Sequence, residues 1–310
     1  MKDNAIVTIV TKSFVHHAQT LRASIMAHDA TIDFLALVVD CDESFTKPSW
    51  GITLDELSRV TAANAMIDRY PLNDRTDHLR WSLKSQLMLY AIRKGTQKVL
   101  WCDPDMMFFS DPRVLFEQMT EQSFLLTPHY RALRPSLDHT NFKKNFTEGL
   151  FQAGCVGAGQ EAACVLDWWS EACQWEMRKD TCDGLYVDQR FLDLVPVLWE
   201  QTVISRHRGC NVAEWNWHEN RRIQVGDQVL INGVDPVIFI HFTDATIAQI
   251  DTGRDQILKT YLDQYVETMQ HFDPSYSLPP SPKPVATTMP RSSGLVRRIY
   301  GKFKILFKQA

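Results

Sequence analysis

Two carboxylates, Asp103 and Asp105, flank Pro104 inside the otherwise apolar stretch KVLWCDPDMMFF, residues 98–109. Like charges this close need a cation, and hard divalent ions such as Mg²⁺ or Mn²⁺ take carboxylate oxygens of this kind and share them with substrate phosphates. In an extended chain, residues i and i+2 point the same way, so both acids would project from one side of a strand end. The same residues also fit an Asp-Pro turn, with Asp103 capping it and Asp105 in solvent. His241 follows the apolar run PVIFI and brings an imidazole to another strand end. Two carboxylates and an imidazole suit Mn²⁺ better than Mg²⁺, while a lone histidine in such a place also serves as a structural hydrogen-bonding group. A second D-x-D, Asp40 and Asp42, ends a further apolar run, where an acid meets a ribose or base or caps a loop.

These groups need strand ends to hold them. NAIVTIVT (4–11), DFLALVVD (33–40), KVLWC (98–102), SFLLTP (123–128) and PVIFIHF (236–242) are short β-branched or apolar runs that read as strands. Between them, helical spacing predicts helices over 16–28, 79–95, 160–179 and 187–196, the second closing on Gly95. The alternation implies an α/β fold with a largely parallel sheet flanked by helices, and such sheets bind ligands beyond the carboxyl ends of their strands. The first glycine is Gly51, so neither a dinucleotide fingerprint nor a P-loop follows the first strand. Phosphates would then be met by a metal. GLFQAGCVGAG (149–159) carries four glycines that permit close backbone approach.

With 310 residues, 45% hydrophobic and 23% charged, the chain has ordinary globular composition. The apolar run near its start is too short for a secretory signal or membrane span, and the expectation is a cytoplasmic, non-spanning protein. Seven cysteines with no CxxC pair argue against a disulfide framework or zinc site. The formal charge of -4 conceals an asymmetry. Residues 291–310 hold six bases and no acid, leaving 27 bases against 37 acids before them. An acidic body excludes nucleic acid as the expected partner.

The organisation expected is a catalytic body over 1–272, a linker over 273–294 rich in proline, and a basic amphipathic helix over 295–310. Six prolines lie within 274–290, and Leu295, Ile299, Phe303 and Phe307 recur every fourth residue. A helix of this kind suits an anionic leaflet, at about 1 kcal/mol per base near the surface, or else docks on the acidic body.

Taken in order, these segments resemble the nucleotide-sugar-dependent glycosyltransferases of the GT-A fold, most nearly the retaining family 8 type, over roughly residues 4–245. The resemblance implies Mn²⁺ (or Mg²⁺) bound by Asp103, Asp105 and His241, and a nucleotide-diphosphate sugar, of UDP type, as donor. It implies donor-sugar contacts at Gln152, Ala153 and Gly154, with Asp188 and Gln189 beside the anomeric carbon. Thr11 and Phe14 would hold the nucleotide base, with Asp40 as a secondary contact, and Lys84 and Gln86 occupy the helical region that meets the donor. The implied acceptor is a cell-surface glycan or lipid-linked sugar at the inner face of the membrane. Three departures stand out. Asp244 replaces a small residue, the family's downstream Lys-Pro-Trp is absent, and no acid stands at Thr11. A haloacid dehalogenase-type phosphatase also uses D-x-D after a strand, but wants Thr or Val where this chain has Met107. A non-catalytic sugar-nucleotide-binding protein recruited to membranes is the other alternative.

Overall fold

The computed structural model describes residues 2–42, 45–72 and 77–280. Its centre is a seven-stranded sheet. The first strands are β1 (Asn4–Val10), β2 (Asp33–Val38), β3 (Gly51–Ile52) and β4 (Lys98–Cys102). Next come β5 (Met106–Phe108), which leaves this sheet, then β6 (Phe124–Pro128) and β7 (Phe151–Gly159). The order across the sheet is Thr202–Ile204, β6, β7, β4, β1, β2, β3. Every pairing is parallel except the two made by β7, which runs antiparallel to both β4 and β6. Parallel strands covered on both faces read as continuous apolar runs. Accordingly Ile6, Val7, Leu37, Val99, Leu100, Leu125 and Val156 are buried, divided between cores on the two sides of the sheet.

The reversed direction of β7 decides where the site can form. Its first residues, Phe151 and Gln152, lie at the same edge as the last residues of β4, since Cys102 is in register with Cys155. β6 pairs Leu126 with Val156 but Thr127 with Gln152, so residues 153–155 bulge out of the ladder. Bulges re-aim side chains at the rims of sheets. All nine residues of β7 are buried, a continuous strand where the glycines alone suggested only a close approach.

Four sequence expectations change in detail. The helix expected over 187–196 is a 3-10 helix, Arg190–Leu194, running into the short helix Val195–Leu198. The helix expected over 79–95 is two, His78–Ser82 and Lys84–Arg93, meeting at Leu83. The run 236–242 is no central strand: Phe239–His241 pairs antiparallel with β5 in a separate two-stranded ribbon, because Pro236 ends one short strand and the chain re-enters only at Phe239. The compact unit continues past Phe272 to Pro279, so the first part of the proline-rich segment packs on the body. The basic helix expected over 295–310 lies outside the described residues. No helix among the described residues is long and apolar enough to cross a membrane.

Candidate metal and donor site

At the carboxyl end of β4 the chain turns rather than continuing extended. The Met106 amide donates to the Asp103 carbonyl at 3.2 Å, a β-turn with Pro104 in the position that its fixed φ favours. It is therefore the turn, not strand alternation, that brings the two carboxylates together. The turn feeds β5, whose Met106 is in register with His241, and the Phe242 amide donates to the Asp105 carbonyl at 2.8 Å. His241 Nε2 lies 3.0 Å from Asp105 Oδ1 and 3.8 Å from Asp103 Oδ2. One ligand atom from each of the three residues falls within 4.8 Å of the others.

Burial alone would lower the His241 pKa, yet the facing Asp105 and Asp103 raise it. For Asp105 burial pushes upward and the imidazole outweighs it, holding the carboxyl low. The donor set fits a divalent ion of the Mn²⁺ type. Gly154 supports that fit, because a Cβ there would stand 2.5 Å from Asp103 Oδ2 and 2.5 Å from Gln152 Oε1. Only a bare backbone leaves the carboxylate its place.

Gln152 holds the arrangement from behind. Its Oε1 accepts from the amides of Gly154 and, at 3.1 Å, Cys155, two donors that the bulge frees from the ladder. Its Nε2 lies 3.0 Å from His241 Nδ1. The Trp215 ring stands edge-on to His241, with centroids 5.4 Å apart. These two neighbours fix the orientation of the imidazole from the side away from the carboxylates.

Lys84, on the first turn of helix Lys84–Arg93, reaches the other side. Its Nζ lies 3.1 Å from Asp188 Oδ2 and 3.3 Å from Asp103 Oδ1, donates to the Ala153 carbonyl at 3.0 Å, and sits over the Trp101 ring. Burial opposes its charge, but the two carboxylates prevail and raise its pKa. Asp188 is itself pushed up by burial. It follows Val187, whose φ of 45° is costly for a β-branched residue, so the surrounding packing fixes this corner. Trp101 Nε1 donates to Asp103 Oδ1 at 3.0 Å.

A cavity of about 500 Å³ opens over this cluster, lined by Lys84, Trp101, Asp103 and Asp105 and walled by Phe14, His17, Arg80, Trp81, Tyr265 and Tyr276. Its size is that of a small-molecule site. Phe14 lies on its wall. Thr11 instead shares a hydrogen bond with Ser13, and Asp40 accepts the Lys12 amide at 2.7 Å, tying the ends of β1 and β2; neither lines the cavity. Gln86 faces away and donates to Ser170 at 2.7 Å, as two helical residues two apart must diverge. Ala153 is buried between Lys84 and Gln189, accepting from the first through its carbonyl and donating to Gln189 Oε1 at 3.2 Å. Gln189 Nε2 donates to the Glu148 carbonyl at 2.8 Å.

Sequence reading missed Arg80, Trp81, Trp101, His17 and the two tyrosines. Asp77, Arg80, Trp81 and Lys84 recur at helical spacing, a signal that could have found two of them.

No family model matches the chain. Its architecture is that of the GT-A fold, shared with a solved galactosyltransferase, LgtC, in complex with donor and acceptor sugar analogs. The two agree with a TM-score of 0.54 at 15% identity, over 90% of this chain and 98% of LgtC. An active-site mutant of LgtC gives 0.52 at 14% identity, over 86% and 95%. Two Bacillus subtilis (strain 168) proteins are similar in sequence. YfnF is 22% identical over 302 residues, 88% of this chain and 96% of its own length. YfnD is 30% identical over 186 residues, 56% of each.

Proposed function

We propose that this chain is a metal-dependent glycosyltransferase that takes a sugar from a nucleotide-diphosphate donor, of UDP type. The observation that carries the reading is the convergence of Asp103, Asp105 and His241 on a 4.8 Å cluster beneath a ligand-sized cavity, at the carboxyl edge of a GT-A sheet. These three residues would hold Mn²⁺ or Mg²⁺, whose chemistry is to neutralise charge on a departing nucleotide diphosphate. Phe14 offers the base an aromatic face, and Arg80 supplies a cation on the cavity wall. Lys84 orients Asp103 and Asp188.

Retention without a protein nucleophile is the stereochemical outcome we favour. Asp188 is committed to a buried ion pair with Lys84, and both polar ends of Gln189 are engaged by backbone groups, which favours a role for both in positioning over one in attack. The acceptor is a glycan or lipid-linked sugar, reached by a chain held peripherally at the inner face of a membrane through residues 295–310.

The test is a panel of nucleotide-diphosphate sugars incubated with the chain and Mn²⁺, reading nucleoside diphosphate release with and without a lipid-linked glycan acceptor. Mn²⁺-dependent release from one donor supports transfer. Binding without release across donors and acceptors supports the non-catalytic alternative.

A further inference from the structure

Helix His139–Thr147, HTNFKKNFT, is nine residues long and amphipathic in sequence, yet buries none of them. An amphipathic helix ordinarily turns its apolar stripe to the core. This one is held instead by polar contacts. Asn141 accepts the Ala132 amide at 2.7 Å and donates to the Trp215 carbonyl at 3.0 Å, and Arg131 reaches the carbonyls of Lys144 and Gly149. Phe142 is half-buried and packs edge-on against Phe146, which is 63% exposed, and on the flanking loops Leu133 is 67%, Leu137 54% and Leu150 50% exposed. The Leu150 amide donates to Asp193 at 2.9 Å, which joins this surface to exposed Leu194 and Val197. Large exposed apolar side chains gathered in one region point to an interaction site.

Charge selects the partner. The acids of this region are already engaged: Glu148 by Arg131 and Lys144, Asp193 by Arg190, Asp138 as the helix cap beside His218, and Glu219 by the Leu133 amide at 2.9 Å. Arg134 and Lys143 are exposed and have no ion-pair partner among the described residues. Apolar side chains interleaved with unpaired bases match a bilayer interface containing anionic lipid. The surface leads directly into β7, since Leu150 precedes Phe151 and Gln152, and Gln189 donates to the Glu148 carbonyl.

We infer that the face formed by residues 133–150 and 194–197 rests on an anionic membrane surface. It is a contact of the body itself, separate from the tail, and it would bring a membrane-borne acceptor to the edge of the sheet where β7 begins, beside the candidate metal cluster.

Hydrogen exchange of the full chain, with and without vesicles of phosphatidylcholine containing phosphatidylglycerol, reads this surface apart from the tail. Amides of helix 139–147 should exchange at least fivefold more slowly with anionic vesicles, and less so with phosphatidylcholine alone. Protection confined to residues 291–310 would overturn the inference, as would protection of the helix that grows with protein concentration in the absence of lipid, which signals a second copy. The double variant Leu133→Asp, Phe146→Asp should lose the helix protection while the tail stays protected. Neither side chain lines the donor cavity, so nucleotide binding is a separate readout that reports on donor recognition alone.

Discussion

Lys84 Nζ stands 3.1 Å from Asp188 Oδ2, and the two side chains are 5% and 3% exposed. This buried ion pair links the helix after Leu83 to the strained corner at Val187, and its second arm, 3.3 Å to Asp103, extends it to the candidate metal cluster. A buried charge that loses its partner is destabilising by several kcal/mol.

Lys84→Met is therefore expected to destabilise the fold by about 3 kcal/mol and to weaken metal binding as well. Chemical denaturation checks the first effect. The double variant Lys84→Met, Asp188→Asn should recover much of the loss, because it no longer leaves an unpaired buried carboxylate; equal loss in both would show that the lysine stem, not the pair, carries the effect.

Gly154→Ala should leave the strand paired but crowd Asp103, whose Oδ2 would stand 2.5 Å from the new Cβ. A loss of Mn²⁺ affinity of about tenfold or more is expected, on the scale of changes around metal ligands. Electron paramagnetic resonance of free Mn²⁺ measures it without any donor or acceptor.

Gln152→Ala removes both the acceptor for two bulge amides and the partner of His241 Nδ1. Leaving buried amides unsatisfied costs about 1–3 kcal/mol each, so a lower melting temperature should accompany weaker Mn²⁺ binding. Were Gln152 only a sugar contact, neither property would change.

His17 gives the pH dependence a specific contributor. Burial, reinforced by neighbouring His16, lowers its pKa to about 4 against the pull of Asp105 and Asp273. Between about pH 6.5 and 4 the unfolded chain binds a proton there that the folded chain does not, so stability is complete above pH 6.5 and falls as pH drops through this window. The wild type should lose up to about 3 kcal/mol from this group by pH 4, and His17→Gln should show a shallower fall. Denaturation curves of both at several pH values compare them directly.

The parallel strands and the acidic turn at Asp103 and Asp105 were legible because their signals are local: apolar runs of the right length, and carboxylates interrupting one of them. Even there the physical route differed, since a proline turn rather than alternation joins Asp103 and Asp105. What stayed hidden depends on pairing. Nothing local in FQAGCVGAG says that it runs antiparallel or bulges at residues 153–155, and that bulge sets the Gln152 side chain against His241. Gln86 was misplaced by neglecting helical direction, and Tyr265 and Tyr276 reach the cavity from elements more than 150 residues downstream of Asp105 in the chain.

The most direct test of the central claim is calorimetric titration of UDP into the chain with and without Mn²⁺, for the wild type and Asp105→Asn. Binding that requires Mn²⁺ in the wild type and is lost in the variant is the expected result. Binding of equal strength in all four conditions, or none in any, would contradict a metal-assisted nucleotide site at Asp103, Asp105 and His241.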